Sequence, residues 1–353
     1  MKVVVYAISK NESKFVDRWC KSMSEADEIY VLDTGSTDNT VKLLCDNGVN
    51  VRVEEITPWR FDVARNKSLD MVPDDVDICV CTDLDELFVP GWRSELERVW
   101  KDGTNRLRYI YNWSLDDKGK PIISFYGEKI HSRNGYRWTH PVHEVLSFDG
   151  DDEKFITTDN VIINHHPDSS KSRSSYLPLL ELSVKECPDD DRNMHYLGRE
   201  YMYYSRWNDC IDTLIKHLNL KTATWKDERA ASMRFIARSY KELGRYEEAR
   251  MWLDKAINEC KDSRDPYTER MLLEYSLNNY NEAIYYGKEA LKIKEKKLSY
   301  INEISSWNET IYDVLSICYY NLKQKKEGLK YLKQAININP TNTRLKNNLK
   351  FFI

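Results

Sequence analysis

Glycine and proline are scarce, at 12 and 10 of 353 residues, which excludes a collagen-like or low-complexity chain. No run approaches the roughly 18 apolar residues of a membrane span. Met1–Tyr6 is too short for the apolar core of a secretion signal. Charge of one sign is not in excess either. With 53 basic and 57 acidic residues the formal balance is −4, which argues against a chain built to live on nucleic-acid phosphates. The cysteines Cys20, Cys45, Cys79, Cys81, Cys187, Cys210, Cys260 and Cys318 form no C-x-x-C pair. They are expected to be buried free thiols in a reducing compartment, with Cys79 and Cys81 on one face of a strand. A cytoplasmic protein without a membrane span is the expectation. What is present is 41% hydrophobic and 31% charged residue, enough to bury ordinary cores in about two domains. The 23 tyrosines and 10 tryptophans suit packed helix pairs and sugar-stacking surfaces alike.

The two halves follow different patterns. Up to about residue 165, strands and helices alternate. Strands are expected at Val3–Ile8, Glu28–Leu32, Val49–Val53 and Asp77–Thr82. Between them, Ser13 can cap a helix carrying Phe15, Val16, Trp19, Cys20 and Met23. Ser36 or Thr37 can cap a second with Val41, Leu44 and Cys45 inward, and Arg60–Met71 reads as a third. This order predicts an α/β domain with an open, mostly parallel sheet. Arg106–Trp113, Ile122–His131 and Tyr136–Phe148 then read as antiparallel strands, and Phe155–Asn164 closes the domain. From about 175 onward only helical periodicity remains, with self-similarity. Gly198, Tyr201 and Cys210 are matched by Ala237, Tyr240 and Ala249 at the same spacing. Such small residues let paired helices approach closely. The strings Leu243–Ala249 and Ala335–Pro340 resemble tetratricopeptide repeats. About four repeats are expected, near 193–226, 228–266, 268–300 and 308–341, the first and third degenerate. The expected division is 1–170 as the α/β domain, 171–192 as linker and first helix, and 193–353 as an all-α repeat domain. Ser169–Ser175, with Lys171 and Arg173, reads as linker or as a segment that orders over bound phosphate.

The chemistry is expected where strands end. Thr82-Asp83-Leu84-Asp85-Glu86 follows the fourth apolar run. Two carboxylates at a strand's carboxyl end face the crevice of an open α/β sheet and repel one another unless a cation sits between them. Mg²⁺ or Mn²⁺, with their preference for oxygen, can fill that role and hold a diphosphate. A solvated loop in which Asp85 or Glu86 caps a helix is the bland alternative. Asp33–Thr40 after the second strand and Ser9–Glu12 after the first can be capping segments or crevice walls. Tyr136–Glu144 contains His140, His143 and Glu144, and in a strand His143 and Glu144 point to opposite faces. His165 and His166 end the last strand. His131, His195 and His217 read as packing or surface residues, and Tyr201, Tyr203, Tyr204 and Trp207 as interhelix core.

Four blocks occur in one order: Ile8–Glu12, Val31–Asp38, Phe61–Lys67 and Asp83–Asp85. Together they resemble a family-2 glycosyltransferase with the GT-A fold. The tetratricopeptide-like tail adds a likeness to bacterial and phage enzymes that glycosylate peptides or lipopolysaccharide core. The resemblance implies a metal-dependent, inverting transfer of sugar from a nucleotide-sugar donor, expected to be UDP-linked, to a peptide, protein or glycan. It implies that Ser9, Asn11 and Glu12 line the nucleoside end of the donor site and that Asp33 and Thr34 meet base and ribose. Many relatives carry Asp where Thr34 stands. Arg65 would contact donor phosphate or sugar, and Asp83 ribose, sugar or, through water, the ion. Asp85 would ligate Mn²⁺ or Mg²⁺ directly, with His165 preferred over His166 as a further metal ligand. Glu144 is the candidate general base and His143 the runner-up. The repeats would recognise the acceptor or mediate self-association. Rival readings are a repeat scaffold with a non-catalytic nucleotide-binding domain and a phage enzyme acting on modified DNA bases. A nucleotidyltransferase would share the fold, but Ser9–Ser13 lacks its Gly-rich basic loop.

Overall fold

A computed structural model describes residues 1–168 and 174–352. Ser169, Lys171 and Arg173 lie outside the described residues, and with them most of the expected linker. The chain forms two compact units, Met1–Ser183 with Leu298–Tyr300, and Val184–Lys297 with Ile301–Ile353.

The first unit begins β1 (Val3–Ser9), α1 (Val16–Met23), β2 (Glu28–Asp33), α2 (Thr40–Asp46), β3 (Asn50–Val53), α3 (Phe61–Leu69) and β4 (Ile78–Cys81). A short strand β5 (Glu86–Phe88) and helix α4 (Trp92–Val99) follow, neither anticipated from the sequence. Then come β6 (Arg106–Leu115), β7 (Pro121–Ser132), β8 (Tyr136–Thr139), β9 (Val145–Phe148) and β10 (Phe155–His165). Eight strands make one sheet in the order β3-β2-β1-β4-β7-β6-β10-β5. The first four are parallel. β7 enters antiparallel against β4, which sets Val80 opposite Ile130 and brings the residue before Ile130, Lys129, to the carboxyl end of β4.

Every residue of β1 is buried because both faces of the sheet are covered. Val3, Val5 and Ala7 join Trp19, Met23 and Leu96 in one core, while Val4 and Tyr6 join Leu69, Tyr136 and Trp138 in another. Alternation along the strand divides one apolar run between two layers. Tyr6 holds the second layer by polar contacts as well. Its hydroxyl meets His131 Nε2 at 2.8 Å and accepts from Trp138 Nε1 at 2.9 Å. His131 is fully buried, and burial pushes its imidazole down to about 3.

The expected single strand Tyr136–Phe148 is instead a separate two-stranded hairpin, β8 and β9, with 140–144 as its loop. Neither predicted cap forms. The backbone N–H of Ser13 bonds to Asp38, and α1 and α2 start at Phe15 and Asn39 without a side-chain cap. Cys45 is exposed on α2 rather than inward, and Cys187 is exposed too. The other six cysteines are buried, and all eight are free thiols. On α2, Thr40 and Leu44 are buried and Leu43 packs against the same core, while Cys45 falls on the outward side.

After α5 (Tyr176–Glu186) the second unit stacks helix pairs. These are α6 (Asp191–Tyr203) with α7 (Trp207–Asn219), α8 (Lys226–Glu242) with α9 (Tyr246–Glu259), α10 (Arg264–Ser276) with α11 (Tyr280–Lys292), and α12 (Thr310–Asn321) with α13 (Lys325–Ile338). A short α14 (Thr343–Asn348) follows. The fold is a mostly parallel α/β sheet domain followed by helical repeats. Small residues sit at the tight crossings, and a Cβ on Gly198 would lie 2.3 Å from Leu214. Tyr201 and Trp207 pack against the α6–α8 core, but Tyr203 and Tyr204 are exposed, contrary to their reading as core. They fall at the end of α6, where the packed face gives way to the turn. Among the described residues no helix is long and apolar enough to cross a membrane.

Candidate functional site

Because β1, β2 and β4 are parallel, their carboxyl ends open on one edge of the sheet. At the first two ends the side chains bond to one another. Asp33 is fully buried. Its carboxylate accepts from Ser9 Oγ at 2.8 Å, Ser36 Oγ at 2.5 Å and the backbone N–H groups of Gly35 and Ser36 at 3.1 and 2.7 Å. Gly35 takes φ +100°, a conformation side chains resist, and so lets the loop wrap this carboxylate. Thr34 Oγ1 donates to the Ser9 carbonyl at 3.0 Å. Asn11 receives the Thr37 N–H at 2.8 Å on Oδ1, and the Glu12 N–H donates to Thr40 Oγ1 at 2.7 Å. The five predicted nucleoside-end residues are therefore gathered in one place. Ser9, Asn11, Asp33 and Thr34 brace two strand-end loops against each other.

At the end of β4 the charged residues meet. Arg65, on α3, is buried, with its guanidinium 5.2 Å from the Trp138 ring. It donates through Nη2 to Asp83 Oδ1 at 2.8 Å and through Nε to Glu144 Oε1. Asn66, the next residue of α3, clamps β8 by two bonds to the Trp138 backbone at 2.8 and 2.9 Å. The Phe61 N–H donates to the Pro141 carbonyl at 3.0 Å. These ties carry the 140–144 loop, in which His140 and His143 adopt φ +75° and +49°, over α3 and deliver Glu144 to Arg65. The strand geometry expected for His143 and Glu144 does not apply, since both lie in this loop.

Lys129 extends the network. Its ammonium lies 3.3 Å from Asp83 and 2.7 Å from Glu86. Glu86 is buried, accepts from Tyr111 at 2.8 Å and receives the Asp83 N–H at 3.0 Å. Burial raises the proton affinity of Asp83, but Arg65 and Lys129 outweigh it and hold the carboxyl well below its usual range. Burial prevails at Glu86, whose carboxyl is raised despite Lys129. Burial disfavours the Lys129 charge, yet Asp83 and Glu86 keep the ammonium protonated well past its usual range.

Asp85 faces the other way, with Oδ2 3.4 Å from His165 Nε2. His165 is fixed by its remaining nitrogen, which meets the Trp113 carbonyl at 3.0 Å, and by the Trp113 ring stacked 4.6 Å away. Burial would lower the His165 proton affinity, but the Asp85 carboxylate reverses the sign and raises it. A carboxylate beside an imidazole nitrogen whose partner nitrogen is anchored is a donor pair suited to a divalent ion. Asp83 does not complete that pair, since its oxygens answer Arg65 and Lys129. His166 contributes its backbone N–H to the Asp85 carbonyl at 2.8 Å. The sequence alone did not point to Lys129 or Tyr111, and it offered Glu86 only as a helix cap, whereas Glu86 opens strand β5. A lysine inside the β7 pattern beside Ile130 was the available signal, but its counterions came from other strands.

Residues 4–148 match the glycosyl transferase family 2 model. Two tetratricopeptide repeat models match residues 229–262 and 310–342, the second and fourth helix pairs. The matched residues take in the ion-pair network, Asp85 and the strands of the main sheet except β10, while β10 and His165 lie beyond them. No curated protein matches the chain by sequence. Among solved structures, MamA is similar at 19% identity and TM-score 0.39, over 48% of this chain and 91% of that one. TTC0263, a thermophilic TPR protein of Thermus thermophilus, is similar at 18% identity and TM-score 0.35, over 50% of this chain and 88% of its own. YrrB, a TPR protein, is similar at 11% identity and TM-score 0.38, over 50% and 83%.

Proposed function

We propose that the chain is a divalent-metal-dependent, inverting glycosyltransferase using a nucleotide-sugar donor, UDP-linked as the first choice. The observation that carries this is the pairing of Asp85 with His165 beside the Arg65–Asp83–Lys129 network at the carboxyl end of β4, with every member but His165 inside the family-2 match. Mn²⁺ or Mg²⁺ held by Asp85 and His165 would offset the charge of the donor diphosphate. Lys129, the more exposed of the two cations at 22% against 6% for Arg65, would add to that effect.

Glu144 starts out paired with Arg65. A diphosphate is a stronger partner for the guanidinium than one carboxylate, so donor binding would free Glu144 to act. The carboxylate would take the proton of the acceptor nucleophile as that atom bonds to the anomeric carbon. The anomeric carbon–oxygen bond breaks on the opposite face, and the nucleoside diphosphate leaves with the bonding pair. The repeat unit would present a peptide, protein or glycan acceptor.

The test is a screen of nucleotide sugars for hydrolysis and binding, with Mn²⁺, with Mg²⁺ and with chelator. Metal-dependent turnover of at least one donor is expected. Neither turnover nor binding for any donor would overturn the reading.

A further inference from the structure

The second unit holds a buried polar cluster that sugar transfer does not use. His195 on α6, His217 on α7 and Glu228 on α8 are exposed by 1%, 0% and 3%. Each offers one ligand atom, and the three atoms lie within 4.8 Å of one another. We propose that His195, His217 and Glu228 bind one Zn²⁺ ion, which ties the first three helices of the repeat stack together.

Three observations support a metal rather than hydrogen bonding alone. His217 Nε2 is buried and makes no hydrogen bond, although Glu228 Oε1 is only 3.4 Å away. Buried polar atoms are seldom left in that state. Ser232, one turn along α8 from Glu228, lies 2.7 Å from His195 Nδ1 and 3.0 Å from His217 Nδ1. A hydroxyl has two lone pairs, so with a metal bound it can accept from both Nδ1–H groups at once. Both rings would then offer an Nε2 lone pair to the ion, with Ser232 as the outer partner that metal-bound histidines commonly have. The donor set also discriminates between ions. Two imidazoles with one carboxylate suit Zn²⁺ with water as a fourth ligand, whereas Mg²⁺ and Ca²⁺ prefer all-oxygen surroundings. Arg234, nearby on α8, is committed to Glu269 and Glu303 at 2.5 and 3.2 Å.

The test uses the full chain, stripped with chelator and titrated with Zn²⁺ by calorimetry and with Co²⁺ by visible absorption. One tight equivalent is expected in the wild type and in Asp85→Asn, with the strong absorption of tetrahedral Co²⁺ and a rise in melting temperature. His217→Gln and Glu228→Gln should lose that equivalent, and Ser232→Ala should weaken it about 10–100-fold. A stripped, folded wild type that takes up no Zn²⁺ would overturn the proposal, as would uptake that survives when His217→Gln is combined with Asp85→Asn, or that vanishes in Asp85→Asn alone. Should the histidine variant fail to fold, anomalous scattering at the zinc edge from wild-type crystals decides. A peak between the three side chains upholds the site, and its absence overturns it.

Discussion

Arg65→Met is the most informative single change in the first unit. Methionine keeps the length, the helix propensity and an apolar contact with Trp138 but removes the charge that Asp83 and Glu144 share. Breaking a buried ion pair from one side costs about 3–5 kcal/mol. Glu144 is only 11% exposed and would lose its Arg65 partner. Asp83 is 37% exposed and retains Lys129, so solvent screens much of its share. The low end, about 3 kcal/mol, is therefore expected. For a unit of this size that lowers the melting temperature by roughly 6–12 °C. The pH dependence carries a sign. Asp83 has a depressed carboxyl in the folded state. Its pairing stabilises fully above the unfolded value near 3.9 and is lost as pH falls through the folded value. The gap between wild type and variant should thus be largest at neutral pH and shrink below about pH 4. Thermal and urea unfolding of the full chain at both pH values would measure it. A neutral-pH gap under about 1 kcal/mol, the value of an exposed pair, or a gap that does not change with acid, would refute the network as described.

Asp85→Asn should abolish Mn²⁺-stimulated donor turnover while leaving the melting temperature within a few degrees; undiminished metal stimulation in a kinetic assay would remove Asp85 from the metal site. Glu144→Gln should bind donor with little change but lower transfer by about 10²–10⁴-fold, and parallel binding and transfer assays would show instead whether both fall together. Acid should weaken the first unit through His131, whose folded value near 3 lies below its ordinary 6.5. The unfolded chain takes up that proton first, so stability declines as pH drops through this window, by about 2 kcal/mol at pH 5. Unfolding of His131→Gln over the same range should show a smaller decline.

Periodicity was a reliable guide where a segment's burial follows from its own pattern. The apolar runs of β1 and β4 and the small-residue spacings of α8 and α9 needed no partner to be read. It failed where a partner decides the outcome. Tyr136–Phe148 alternates like one strand, but Pro141 and the bonds from α3 turn it into a hairpin. Cys45 looks inward on a helical wheel, but the docked α2 turns Leu44 and Leu43 to the core and leaves it exposed. The expected caps do not form because Ser36 bonds to Asp33 and to the Asn11 N–H, while Asp38 takes the Thr40 N–H at the start of α2.

From the residues alone came the alternating order of elements through β4, the division into a sheet half and a repeat half, and the carboxylates at the end of the fourth strand. All of these are encoded in local spacing. Only the folded chain placed Lys129 beside Glu86, Glu144 on Arg65, and His217 next to Glu228 and Ser232. Each pairing joins residues on different strands, helices or loops, and a charge or a lone pair acquires its chemistry from whatever the fold sets within a few ångströms of it.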